Sequence, residues 1–197
     1  MPTPYEIIYA PAEVYAAPVG EAFPAVNATP AGNWALIGTE GSKNYDEAGV
    51  VIRSPVAMAA FRSLGGTLKR KVSITERDFA VEFTVVDINP EEMAYALGVD
   101  PGDIVDTPAG GGQAGQQAIT IPSSPIPLQQ ALLVRCDQSP FGDAMKHQWE
   151  IYAANQVGSG EGTYSKSTPF GQRHQWEAIE NSSGFVVLRI MDAAVSP

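Results

Sequence analysis

Glycine and proline interrupt this chain before any run can grow into a long helix. Nineteen glycines and sixteen prolines fall among 197 residues. Glycine weakens helix interiors and proline breaks them, so the punctuation leaves room for strands, turns and helices of a turn or two. Apolar residues make up 44 % of the chain, enough for a core, and charged residues 17 %, too few for charge-driven disorder. The length fits one domain, two at most. The expectation is a single mainly β (α+β) domain spanning residues 1–197.

Charge removes several functional classes. Twelve basic residues face twenty-two acids, a net charge of −10. A nucleic-acid grip needs clustered positive charge, which an acidic chain does not favour. No apolar run approaches the ~20 residues that span a bilayer. Residues 1–10 carry no basic residue ahead of an apolar stretch, so no secretory leader is expected. Cys136 is the one cysteine, which allows no internal disulfide and no cysteine-based metal cluster. It sits in the apolar run 131–136, where a buried inert thiol is the expected role.

The first fifty residues read as short strands between breakers: residues 7–9, 14–15, 34–37 and 49–52. Residues 53–71 then hold Arg53, Arg62, Lys69, Arg70 and Lys71 with no acid. This stretch reads as a long basic connection. A short helix within 56–64 is compatible with its alanines, while Pro55 and Gly65-Gly66 argue against a long one.

Residues 72–88 alternate most clearly. Phe79, Val81, Phe83 and Val85 share the core phase, while Glu76, Asp78 and Glu82 face out together. The pattern predicts one strand of unusual length, which would project beyond a sandwich or join a larger barrel. A short helix follows. Asn89 caps it, Pro90 suits its first position, and Glu91 and Glu92 favour its positive end. Glu92 stands at capping-box spacing from Asn89. Met93, Ala94 and Leu97 form the expected apolar face, and Gly98 ends the helix.

Residues 99–130 are a Gly/Pro/Gln-rich excursion, with a short strand expected at 118–121. Strands are expected again at 131–137, 148–155, 163–165, 175–180 and 185–191, with a glycine-marked hairpin tip at 158–162 and a turn at 181–184. Residues 146–150, Lys-His-Gln-Trp-Glu, recur as Arg-His-Gln-Trp-Glu at 173–177. Two neighbouring strands presenting alike faces would explain the echo, and so would chance.

Catalytic signatures are weak. His147 and His174 lack ligand spacing on one element. Glu76 and Asp78 would stand roughly 7 Å apart, a separation that suits glycoside hydrolysis, but a row of acids on a strand is more often a solvated face. No Gly-x-Ser-x-Gly elbow and no phosphate-binding Gly-Lys-Ser/Thr are present. Asp100, Asp103 and Asp106 lack calcium-loop spacing. No cofactor, metal or catalytic residue is assigned. Charge segregation stands out instead. Six of the twelve bases lie between Arg53 and Arg77, and six acids with no base lie between Asp87 and Asp106. Self-assembly can use such segregation.

Three blocks carry a resemblance. AEVYAAPVGEAFP followed by GNWALIGTEGSKNYDEAGVVI spans residues 12–52, VSITERDFAVEFTVVDINPEEMAYALG spans 72–98, and FVVLRIMDA closes the chain's last strand. These resemble the major tail (tail tube) proteins of long-tailed, siphovirus-type bacteriophages, over most of the chain except 99–130. The resemblance implies a β-sandwich with one short flanking helix, whose long strands join an inner ring barrel. Rings, usually of six subunits, stack into a virion tail tube assembled in the host cytoplasm. Partners would be the chain itself, the tape measure protein and the tail terminator. Double-stranded DNA would pass through without specific binding, and no membrane insertion is implied.

On that basis an acidic lumen would repel phosphates, with about −60 per ring. Strand phase nominates Glu76, Asp78 and Glu82 as lumen-lining, and the echo adds Glu150 and Glu177. The basic residues Arg53, Arg62, Lys69, Arg70 and Lys71 would meet Glu40, Asp46 and Glu47 of the next ring. Alternatives are a tail terminator or connector ring, a carbohydrate-binding sandwich that uses Trp149 and Trp176 as stacking platforms, and a hydrolase built on the acidic strand.

Overall fold

The computed structural model describes residues 11–62, 68–69, 71–87, 89–112, 114–123, 126–136, 146–158, 162, 166 and 169–190. In chain order the elements are β1 (Glu13–Pro18), β2 (Ala35–Leu36), β3 (Val51–Arg53), β4 (Val56–Phe61), β5 (Lys71–Arg77), β6 (Ala80–Val85), α1 (Pro90–Ala96), β7 (Val105–Thr107), β8 (Gln116–Ala118), β9 (Gln129–Cys136), β10 (His147–Gln156), β11 (Gln172–Ala178) and β12 (Val186–Ile190). The fold is mainly β with one short helix, as the punctuation implied.

One antiparallel sheet organises the body in the order β2-β1-β9-β10-β11-β6-β3, with β12 also on β10. Along one side β10 pairs first with β12, through residues 147–151, then with β11, through residues 154–156. A register shift between Ile151 and Ala154 marks the change of partner. The expected strands at residues 7–9 and 163–165 lie outside the described residues.

Two apolar clusters hold the sheet from opposite faces. The larger gathers Val14, Ile37, Phe83, Leu132, Ile151 and Trp176. The smaller joins Ala17, Trp34, Ala131 and Leu133, with Phe23 packed against it. Strand β9 serves both, so it is buried on both faces and reads as a continuous apolar run. Segment 19–34 covers the second face, where Trp34 Nε1 donates to the Ala22 carbonyl at 3.0 Å.

Residues 35–46 close the larger cluster. Ile37 N–H donates to the Val14 carbonyl at 2.9 Å, and Val86 N–H to the Asn44 carbonyl at 2.7 Å. Tyr45 bridges to Val85. The segment therefore links β1 at one end of the sheet to β6 near the other. Tyr45 fixes it: its hydroxyl donates to the Ile37 carbonyl at 2.7 Å and accepts from Val14 N–H at 3.1 Å.

The long strand expected over 72–88 is two strands in line. Arg53 pairs with Ala80 and Val56 pairs with Arg77, so both legs of this hairpin break at one level, at Ser54-Pro55 and at Asp78-Phe79. Pro55 has no N–H for a ladder, which explains the joint. Beyond it, residues 56–61 of the stretch read as a basic connection or short helix form strand β4, paired with β5. The core phase holds: Phe79, Val81, Phe83 and Val85 are all buried.

The helix is capped as expected, with Glu91 N–H donating to Asn89 Oδ1 at 3.1 Å. Gly98 follows at φ +70°, a left-handed turn that suits glycine. The capping box does not form, because Glu92 turns inward to another segment. Ala94 and Ala96 are the buried apolar positions, while Met93 and Leu97 are half-buried. The strand expected at 118–121 lies earlier, as β8, and pairs with β7.

Replacing Tyr45 with phenylalanine tests the closure. The Val14 N–H loses its acceptor in a buried site, so urea unfolding should show a loss of about 1–3 kcal/mol with an unchanged circular dichroism spectrum.

Candidate functional site

The hairpin β4–β5 stands apart from the packed body as an arm. Every residue of β5 is exposed, and in β4 only Val56 is partly covered. Cross-strand register puts Met58 opposite Ile74 and Ala60 opposite Val72, so these four form an apolar patch on one face of the ribbon, with Arg77 opposite Val56 at its root. Met58 is 64 % exposed and Ile74 56 %. Phe61 and Leu68 add further exposed apolar surface. Arg62, Lys69 and Lys71 are exposed beside them. Arg70 lies outside the described residues.

At the root of the arm, two sets of nominated residues meet within one chain. Glu82, expected as a bare lumen acid, pairs with Arg53 at 3.1 Å and with Arg173 at 3.1 Å. Arg53 was expected to reach the next ring, and here it neutralises Glu82 of its own sheet. Glu76 and Asp78 are exposed, at the end of β5 and in the joint. Glu177 is exposed on β11, opposite Ala80. Glu150 does not share that setting. It is 1 % exposed, with Oε1 accepting from Gln148 Nε2 at 2.8 Å and from Arg189 Nε. A lumen role would need it to leave this pocket.

Glu150 belongs to a buried polar strip that holds segment 19–34 on the sheet. Gln148 Nε2 also donates to the Pro24 carbonyl at 2.8 Å, and Arg135 donates to the carbonyls of Val26 and Ala28. Sequence reading missed Arg135. Its signal was present, since it is the lone charge in the apolar run 131–136.

The echoed segments lie on neighbouring strands but do not face each other, since residues 147–151 pair with β12 and β9. β10 and β11 pair, and both copies direct Trp toward the same cluster, Trp176 fully buried and Trp149 partly. Trp149 lies 5.4 Å from Phe79, ring to ring, and Trp176 6.3 Å from Tyr95. Trp176 therefore offers no stacking platform for a sugar. His174 lies flat on Phe83, 4.9 Å away, and burial holds its pKa down at about 4. Among the described residues no three His, Cys, Asp or Glu side chains gather as a metal site, and no helix is long and apolar enough to cross a membrane.

Besides the groove at Glu21 and Glu150, two others carry acids. One, of about 440 Å³, is lined by Asp46, Glu47 and small residues including Ala12, Ala48 and Gly49. Glu40, expected with them, pairs with Lys43 at 3.3 Å. The other groove, about 530 Å³, combines Asp100 and Asp103 with Val99, Ile126, Pro127 and Leu128.

A pair of carboxylates clasps the closing segment. Glu92 Oε1 accepts from Gly38 N–H at 2.6 Å, and Asp87 Oδ2 from Thr39 N–H at 3.1 Å. Their second oxygens are buried without a partner among the described residues. Burial, with Asp87 and Glu91 nearby, pushes Glu92 up to about 7, although the Gly38 N–H works the other way. Tyr45 and Tyr95 also face this group, and both phenols are raised, chiefly by burial.

No protein-family model matches the chain, and no curated protein matches it.

The two buried titrating groups give opposite pH dependences. Glu92 binds its proton more tightly when folded, so its contribution is present below pH 4.5 and is lost as pH rises through about 7. His174 binds its proton less tightly when folded, so its contribution is present above pH 6.5 and is lost as pH falls through about 4. The two contributions therefore oppose each other between these limits. Glu92→Gln keeps an acceptor for Gly38 and removes one slope. Urea midpoints for this variant should climb more steeply from pH 4.5 to 6.5 than those of the parent. Parallel profiles would contradict the assignment.

Proposed function

We propose that this chain is a non-enzymatic structural protein of the phage tail-tube type, which assembles with itself into stacked rings around a central channel. The observation that carries the reading is the arm. Its apolar face is exposed on both strands, over a body whose own core is complete. A two-stranded ribbon is marginal in water by itself, and each large apolar side chain left in water forgoes about 1.5–3 kcal/mol of burial. A second copy of the chain supplies the missing surface at every repeat of a closed, symmetric assembly.

Open edges support the same reading. Strand β12 is paired on one side, to β10, among the described residues, and Leu188 and Ile190 on it are exposed. Charge supports a channel for DNA. The net charge of −10 per chain, repeated around a ring, disfavours the counterion release that would hold phosphates. Glu76, Asp78 and Glu177 are the exposed acids on this reading, whereas Glu82 is already neutralised by Arg53 and Arg173. Tape measure protein and DNA would occupy the channel, and the virion tail is the site of action.

Electron microscopy of concentrated purified protein tests this. Stacked rings or tubes with a central hole are expected, with Glu76 and Asp78 facing the hole in the resulting map. Single unstacked rings would favour the terminator or connector role. Dispersed small particles would overturn self-assembly. Removing residues 56–77 and joining Pro55 to Asp78 through two glycines is geometrically mild, because Asp78 N–H already reaches the Pro55 carbonyl at 3.1 Å. That variant should stay folded and form no tubes.

A further inference from the structure

We infer that the groove lined by Val99, Asp100, Asp103, Ile126 and Leu128 receives the β4–β5 arm of a second copy of this chain. The inference rests on the self-assembly reading and names the surface that the arm meets.

Two complementarities carry it. The first is charge. Arg62, Lys69 and Lys71 lie on the arm, within the stretch that holds half of the chain's bases. The groove lies in the opposite region, where residues 87–106 carry six acids and no base. Asp100 and Asp103 place two of those acids on its wall. The second is apolar surface. The arm presents Met58, Ala60, Val72 and Ile74 as one face. The groove presents Ile126, 87 % exposed, beside Pro127, Leu128 and the buried Val99. Its volume of about 530 Å³ suits a few large side chains. Apolar contact supplies the attraction, and the rim charges fix which face docks and in which direction.

The competing groove at Asp46 and Glu47 has the charge without the apolar floor. Its lining is Pro11, Ala12, Ser42, Ala48, Gly49 and Val50, with Tyr45. Tyr45 is already committed to the Val14 and Ile37 backbone. Arm residues such as Met58 and Ile74 would gain less there. The excursion at 99–130 thereby acquires a role as part of the receiving surface.

The test mixes two kinds of full-length chain. Met58→Cys chains are combined with Ile126→Cys chains, assembled and oxidised, and the same Met58→Cys chains are combined with Glu47→Cys chains. The inference expects disulfide-linked pairs in the first mixture and few in the second. In parallel, Asp103→Lys should raise the protein concentration needed for assembly at least tenfold, and adding Lys69→Glu to it should recover most of that loss. Both positions are exposed, so each variant should unfold like the parent. If the parent assembles, the arm-deleted chain does not, and yet Asp103→Lys assembles normally with links forming at residue 47, the groove assignment is overturned and the self-assembly reading stands. If parent and arm-deleted chains both stay single at every concentration, both fall.

Discussion

The core depends on one closure across the chain. Residues 35–46 must lie between β1 and β6, or the large cluster around Trp176 and Phe83 opens to water. That segment is too short in strand content to hold itself, since β2 spans two residues. It is held instead by side chains from elsewhere: the Glu92 and Asp87 carboxylates on successive backbone N–H groups, and the Tyr45 hydroxyl between Val14 and Ile37. Buried carboxylates are costly when charged. Glu92 meets that cost by rising to about 7, so a sizeable share of it is protonated at neutral pH.

With the closure made, the main cluster is buried and the arm's apolar face is not. The joint at Pro55 and Asp78 separates the two. Below it, β3 and β6 belong to the main sheet; above it, β4 and β5 have only each other as ladder partners among the described residues. Natural sheet edges are usually blunted by charge or cover. Here the charge is present as Arg62, Lys69 and Lys71, but an apolar face remains open beside it. Stability favours covering that face, and none of the described residues covers it.

Much of the fold was legible because alternation and breakers are local signals. The phase of Phe79, Val81, Phe83 and Val85, the Asn89 cap, the buried run ending at Cys136 and the shared orientation of the echoed tryptophans all follow from side-chain period and turn chemistry. What escaped was long-range. Glu92 sits three residues after Asn89, which reads as a local cap, and only the fold brings Gly38 to it across 54 positions. The break in the long strand follows from its partner, since Pro55 is on the other leg. Glu82 looked free because Arg53 and Arg173 are remote in sequence. Glu150 shared the polar phase of its strand, and segment 19–34 buried that phase.

Hydrogen exchange along the arm tests the central claim most directly. Amides of β4 and β5 are measured in dilute protein and again at concentrations where assembly occurs, with β9 as the internal reference. The account predicts that arm amides exchange quickly in dilute solution and slow by about tenfold or more on assembly, while β9 stays equally protected in both. Arm amides that exchange at the same rate in both states, with assembly complete, would contradict it.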